Sequence, residues 1–312
     1  MPAGDVGVSG SGTPLHWARH LAAAAAIAFL VSGCALSEAP ILYPQGPIAL
    51  AQRDLLFTAF WLMMIVAIPA ILLTLLFVYR YRSRHHSTAA YTPEWEGSWK
   101  IEAVVWLVPA AIIIVLGTLV WRDTHKLDPY KELASDKPAF EVQAIALDWK
   151  WLFVYPELGV ASVNELAFPA DRPLSIKITS DTVMNSLMIP ALGGQIYAMA
   201  GMRTEMNLLA DGPGTFKGRN TMYSGDGFSD QHFLAHALTE GDFTAWKDKA
   251  TGSPDALDAK TYLEVAKQSV ANPVAYYSSV EPNLFGLILR KYAPIVGPLE
   301  SEAAELICRG AA

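Results

Sequence analysis

Apolar positions run almost unbroken twice in the first half of the chain and then begin to alternate. From Leu55 to Tyr79 the stretch LLFTAFWLMMIVAIPAILLTLLFVY has no charged side chain. As a helix it measures about 37 Å, against roughly 30 Å for the hydrocarbon core of a bilayer. The pattern predicts a tilted transmembrane helix over 55–79. A second run, Ile101 to Trp121, holds one charge, Glu102, and at about 31 Å predicts a second span over 101–121. Pro69 and Pro109 lie inside these runs. Membrane helices tolerate proline where neighbouring groups satisfy the freed carbonyls, which points to partner subunits.

After a linker, 122–138, the pattern changes to short apolar and β-branched stretches bounded by Gly, Pro, Asn and Asp. Strands are predicted at Phe140–Leu147, Trp149–Tyr155, Val160–Leu166, Leu174–Ser180, Met206–Ala210 and Phe233–Ala237. This is the signature of a small β-sandwich or barrel, placed here at 139–240. Period two puts Trp149, Trp151, Phe153 and Tyr155 on one strand face, as packed core or as an interface with a larger subunit. Beyond it, the tail at 241–312 predicts short helices over Asp242–Lys249, Ala256–Ser269 and within VEPNLFGLILRKYAP.

Composition agrees with a membrane chain: 52% hydrophobic against 17% charged residues, with a mean hydropathy of +0.26, is too apolar for an ordinary soluble protein of this length. The net charge of −7 and the lack of Lys/Arg clusters outside one short loop argue against a nucleic-acid partner. That loop, 80–100, opens with Arg80, Arg82 and Arg84 and closes at Lys100. The positive-inside rule places it in the cytoplasm and both flanks outside. At the N-terminus, Arg19 and His20 precede an apolar run, Leu21–Val31, too short to span, followed by Ser32, Gly33 and Cys34. This reads as a secretory leader, 1–33, with an exported segment, 34–54. The end of the leader resembles a bacterial lipoprotein cleavage box, which implies lipid on Cys34. An incidental cysteine behind an ordinary leader is the other reading. Glu102, one residue inside a span, is either a snorkelling carboxylate or a group that serves protons.

Four strings carry a specific resemblance: SWKIEAVVWLVPA, ALDWKWLFVYPELGVASVNEL, SDTVMNSLMIPALGGQIYAMAGM and GPGTFKGRNTMYSGDGFSDQHF. They resemble subunit II of haem-copper respiratory oxidases, in the ubiquinol oxidase branch of cytochrome bo type. The resemblance runs from the leader to an aromatic-rich tail. It implies a membrane-anchored α+β chain: two transmembrane helices, a cupredoxin-like β-domain and a short helical extension, in a bacterial inner membrane.

In the cytochrome c oxidase branch, subunit II carries a dinuclear copper centre on a histidine and a CxxxCxxxHxxM loop. Bridging thiolates are indispensable to such a site. Here Asn185 takes the histidine position, and the loop Tyr223, Ser224, Gly225, Asp226 and Gly227 holds no cysteine. The chain's two cysteines, Cys34 and Cys308, lie far from it. His232 and His236 are four apart, a ligand spacing on a helix but not on a strand. Met184, Met188, Met199, Met202 and Met206 form no repeated box and read as gap-fillers.

The resemblance therefore implies no metal, cofactor or catalytic residue in this chain. Haems and copper belong to subunit I, which receives electrons from ubiquinol directly, with subunits III and IV completing the complex and no role for cytochrome c. It also matches Glu102 to a glutamate beside the mouth of a proton channel. A lipid-anchored assembly scaffold, or a copper-bearing cytochrome c oxidase subunit, are the alternatives.

Overall fold

A computed structural model describes residues 39–81 and 97–292, together with Ala23 and Ile307. The leader at 1–33, Cys34, Cys308 and most of the 80–100 loop lie outside the described residues. Residues 1–43 and 44–312 form two units. In the first, Leu42 and Tyr43 donate to the carbonyls of Ala39 and Pro40 in a turn.

The second unit opens with α1, Pro47–Arg80, and α2, Trp99–Lys126. Both are apolar enough to cross a bilayer. Helix α1 starts eight residues before the apolar run, with Gly46 extended ahead of Pro47 at its first turn, where a missing N–H costs nothing. Three hydroxyls within the apolar runs are matched locally: Thr58, Thr74 and Thr118 donate to the carbonyls four residues back, satisfying each inside its own helix. Helix α2 places Glu102 in its first turn and His125 and Lys126 in its last, matching the helix dipole at both ends.

Eleven strands follow among the described residues: β1 Phe140–Leu147, β2 Lys150–Tyr155, β3 Val160–Val163, β4 Glu165–Pro169, β5 Leu174–Ser180, β6 Asn185–Met188, β7 Gln195–Ala198, β8 Thr204–Leu208, β9 Gly214–Asn220, β10 His232–Leu238 and β11 Ala275–Tyr277. They make two sheets, ordered β11-β3-β2-β1-β5-β8 and β4-β10-β9-β6-β7. The tail contributes the helices α3 Glu240–Thr251, α4 Ala259–Ala266 and α5 Leu284–Lys291.

Two apolar clusters explain the sandwich. Val142, Ala144, Trp151, Phe153 and Tyr155 face Phe168, Leu187, Phe216 and Phe233 between the sheets. The alternate residues of the same strands, Ile145, Leu147, Leu152 and Val154, face outward against Tyr262, Leu284, Leu287 and Ile288 of the tail. Strand β2 is thus buried on both faces, as a strand covered by helices on its far side must be.

The structure adds β6, β7 and β11 where no strand is expected, and three further departures have identifiable causes. Val160–Leu166 is not one strand: Asn164 adopts φ 57°, its side chain accepts from the Trp151 N–H at 2.9 Å, and the chain switches sheets there. Trp149 does not share the aromatic face of β2, because it also sits at positive φ (60°) in the β1–β2 turn. Strand β9 was not expected from its glycines and polar residues. Gly218 is needed in it, since a Cβ would lie 2.1 Å from the Phe233 ring.

The tail is fastened by polar groups. Trp246 and Tyr276 both donate to Glu165 Oε1 at 2.7 Å. Asp181 accepts from Tyr262 at 2.5 Å and from Lys291 at 2.8 Å. Lys150 donates to the Lys267 carbonyl at 2.7 Å and to Ser269 Oγ, and its burial lowers the pKa of its ammonium.

Candidate functional site

At one end of the sandwich the β1–β2 turn, the segment before β6, and the β9–β10 connection converge, because β6 pairs with β9 at Leu187↔Asn220 and β9 with β10 at His232↔Arg219. Asn185, the first residue of β6, points inward and is fully buried. Its Nδ2 donates to the Val183 carbonyl at 2.8 Å, and its Oδ1 accepts from Asn220 Nδ2 at 2.7 Å. Asn220 also donates to Gln231 Oε1 at 2.8 Å, and its own Oδ1 accepts from the N–H of Ser186 at 2.8 Å and of Met222 at 3.0 Å. Gln231 donates to the Leu147 carbonyl at 3.3 Å and accepts from Ser224 Oγ at 2.9 Å. Three buried amides and a hydroxyl form one closed network of neutral groups.

Trp149 lies over this network. Its indole N–H donates to the Ser224 carbonyl at 3.0 Å. A Cβ on Gly227 would come within 2.3 Å of the Trp149 ring, and one on Gly225, at φ +106°, within 3.3 Å. The turn residue thus occupies the space that a side chain at 227 would need.

These residues do not fit a dinuclear copper centre. Gly227 sits against the indole, Tyr223 is exposed, and the amides spend their oxygens on one another and on backbone N–H groups. Hard amide oxygens are also poor substitutes for bridging thiolates. Among the described residues no three His, Cys, Asp or Glu side chains gather as metal ligands. His232 and His236 both lie on β10, about 14 Å apart along the strand. His236 instead meets Thr215 Oγ1 at 2.9 Å and Glu165 at 3.7 Å.

Sequence reading singled out Asn185, Ser224, Gly225, Asp226 and Gly227 but overlooked Asn220 and Gln231. The signal was available for Gln231. Laying CxxxCxxxHxxM on Tyr223 and Gly227 puts Gln231 at the motif's histidine, and the structure joins it to Asn185 through Asn220. Nothing in local spacing identifies Asn220, whose role depends on the β6–β9 pairing.

Glu102 is exposed at the start of α2. Its carboxylate folds toward Gly97, where a Cβ would lie 2.8 Å from Oε1, and the helix N-terminus favours its charge.

Comparison with known proteins places these features in a family. Residues 252–294 match the COX Aromatic Rich Motif, the segment that carries α4, β11 and α5. The chain is 49% identical over 265 residues to cytochrome bo(3) ubiquinol oxidase subunit 2 of Pseudomonas aeruginosa, covering 85% of this chain and 79% of that one. It is 47% identical to ubiquinol oxidase subunit 2 of Acetobacter aceti, covering 85% of each. Quinol oxidase subunit 2 of Bacillus subtilis is 39% identical, over 77% of this chain and 74% of its own. Among solved structures, the periplasmic domain of cytochrome oxidase subunit II from Bradyrhizobium japonicum is similar with a TM-score of 0.36 at 21% identity, over 38% of this chain and 96% of that one. With two apolar helices, a β-sandwich and a helical tail under this level of identity, the chain belongs to the ubiquinol oxidase subunit II family.

Proposed function

We propose that this chain is the non-redox subunit II of a proton-translocating quinol:oxygen oxidoreductase of the bacterial inner membrane. A haem-bearing subunit I takes electrons from ubiquinol and reduces dioxygen to water. The observation that carries this reading is the amide network of Asn185, Asn220 and Gln231 beneath Trp149. Such a network has no group that can cycle an electron, so a donor arriving from the aqueous side would find no relay in this domain. A quinol diffusing in the bilayer needs none.

On this reading the spans run with the 80–100 loop in the cytoplasm, following its arginines. The β-domain and tail lie outside as a cap on subunit I, and subunits III and IV complete the assembly. Cys34 carries lipid as the first residue of the mature chain. Glu102, on the cytoplasmic flank of α2, gathers protons for subunit I, a task suited to an exposed carboxylate at a helix end.

Purification of the intact complex through this chain tests the reading. The expected result is haem absorbance, oxygen uptake driven by ubiquinol and not by reduced cytochrome c, and no copper in this subunit. A chain that purifies without haem-bearing partners would support a scaffold instead. In the assembled complex Glu102→Ala is expected to slow turnover and proton uptake together, and unchanged values for both would remove the proton role.

A further inference from the structure

The first turns of α1, ahead of its apolar run, are built into the β-sandwich. Gly46 supplies no side-chain cap and Pro47 has no N–H, so the open donors at the start of α1 need partners from elsewhere. The Ala49 N–H finds the Leu192 carbonyl at 3.2 Å and the Gln45 N–H that of Ala191 at 2.8 Å, while the Gln45 carbonyl accepts from the Asp211 N–H at 2.9 Å. Ala49 is buried, and Ile48 packs against the core between the sheets. The approach is close. A Cβ on Gly46 would lie 2.2 Å from the Leu209 carbonyl oxygen, one on Gly193 2.7 Å from the Leu208 side chain, and one on Gly194 2.9 Å from the Gln52 amide.

Helix α2 is joined differently. Its buried residue, Asp123, directs its carboxylate to the neighbouring Arg122 at 2.9 Å. The helix ends at the Leu127 cap. The sandwich takes hold of the chain after that point, at Pro129, whose carbonyl accepts from the Asn207 N–H at 3.0 Å and from its Nδ2 at 3.3 Å. Leu127 and Asp128 separate the helix from this anchor. Between the outer ends of α1 and α2 lies a cleft of 440 Å³, and the ion pairs beside it, Arg53–Asp54 and Arg122–Asp123, each stay within one helix.

We infer that α1 and the β-sandwich move as one rigid body, and that α2 is a second body hinged on Leu127 and Asp128. Such a hinge needs only a few residues at an element's end to absorb a change in φ and ψ. The difference lies in where each helix is held. Three backbone hydrogen bonds and the packed Ile48 and Ala49 fix α1 through its own first turn, whereas the bonds to Pro129 grip the chain only after α2 has ended. The position of the exported domain is therefore set by α1. Helix α2, which carries Glu102, settles against its neighbours in the membrane without moving that domain. This inference rests on the reading of both helices as spans.

The test uses the full chain in lipid nanodiscs, spin-labelled through noncanonical residues so that Cys34 and Cys308 stay unmodified. One label pair joins Phe57 of α1 to Lys217 of β9, and the other joins Val120 of α2 to Lys217, all three positions being exposed. Distance distributions are read by double electron–electron resonance. The α2 pair is expected to be about twofold broader than the α1 pair, as a hinge between two bodies gives. Gly46→Ala, which drives a methyl into the Leu209 carbonyl, should broaden the α1 pair to match, whereas Gly212→Ala, with open space around it, should not. Hydrogen exchange over 140–147 shows that the sandwich remains folded in each variant; should Gly46→Ala lose that protection, the parent widths alone decide. Equal widths for the two pairs in the parent overturn the inference, and so does an α1 pair that a folded Gly46→Ala leaves unchanged. Incorporation into the discs is scored separately, so a chain that fails to enter them counts against the spans and not against the coupling.

Discussion

Asn220→Ala is the sharpest perturbation of the amide network, because this one side chain makes four of its strong hydrogen bonds. Its Nδ2 serves Asn185 at 2.7 Å and Gln231 at 2.8 Å, and its Oδ1 serves the N–H groups of Ser186 and Met222. Truncation does not affect all four partners equally. Gln231 keeps the Ser224 hydroxyl, and Met222 is partly exposed and can turn to water. The Asn185 oxygen and the Ser186 N–H belong to residues at 0% and 1% exposure and are left with nothing. At about 1–3 kcal/mol for each buried orphan, the loss is about 2–6 kcal/mol, a large share of the roughly 5–15 kcal/mol that holds a typical domain together. A domain of this size shifts its melting temperature by about 2–4 °C per kcal/mol. The assay is thermal unfolding of the assembled complex followed by tryptophan fluorescence, in which Trp149 reports on the site through its bond to Ser224. Asn220→Asp supplies the control. It keeps an acceptor for both backbone N–H groups but sets a carboxylate against two amide oxygens, so it should also destabilise, and protonation at low pH should relieve part of that loss. A shift under about 2 °C for Asn220→Ala, or an Asn220→Asp variant as stable as the parent at neutral pH, refutes the reasoning.

Three further outcomes follow from the packing. Gly227→Ala would push a methyl into the Trp149 ring, and overpacking of this kind costs about 1–3 kcal/mol, seen as a lower melting temperature with altered Trp149 emission. Lys291→Met leaves Asp181, whose side chain is 2% exposed, with its Tyr262 bond and no cation. Breaking such a buried pair costs about 3–5 kcal/mol, and limited proteolysis should cut the tail near α5 sooner than in the parent. Asp258 caps α4 by accepting from the Thr261 N–H at 2.8 Å, and that bond holds its carboxyl below the usual aspartate range. Because the folded pKa lies below the unfolded one, the cap's contribution is complete above the ordinary aspartate pKa of 3.8 and is lost as pH falls through the folded value. Hydrogen exchange across 259–266 should accelerate in that acid window for the parent, and Asp258→Ala should flatten the dependence.

What the sequence discloses depends on how local the determinant is. The spans were legible because a run of apolar side chains needs no partner to be recognised, and the structure adds only their polar ends, such as the turns of α1 between Pro47 and Asp54. Strands β1 and β5 were legible residue for residue because each opens on an alternation of apolar and polar residues and continues into a buried stretch before a turn. The sheet switch at Asn164 was not legible, since an asparagine at positive φ is stabilised by a bond to the distant Trp151 N–H. Strand β9 was hidden for a similar reason. Gly218 reads as a turn residue until Phe233 arrives from β10 to need its space. The site divides along the same line: Asn185 and the loop lacking cysteine can be read by position, whereas Asn220 acquires meaning only when β6 is laid beside β9.

The composition of the network follows from the backbone around it. Four main-chain groups turn inward at this end of the sandwich: the carbonyls of Leu147 and Val183, and the N–H groups of Ser186 and Met222. A hydrocarbon filling would leave the buried members of this set unmatched, at a cost comparable to a lost hydrogen bond each. Thiolates could accept from the two N–H groups but have no proton for the two carbonyls. A primary amide carries both functions on one planar group, and Asn185, Asn220 and Gln231 use both. Donors reach Val183 and Leu147, an acceptor reaches Ser186 and Met222, and the remaining atoms pair among themselves. Hydrogen bonds thereby tie the β1–β2 turn, the start of β6 and the β9–β10 connection together without a metal.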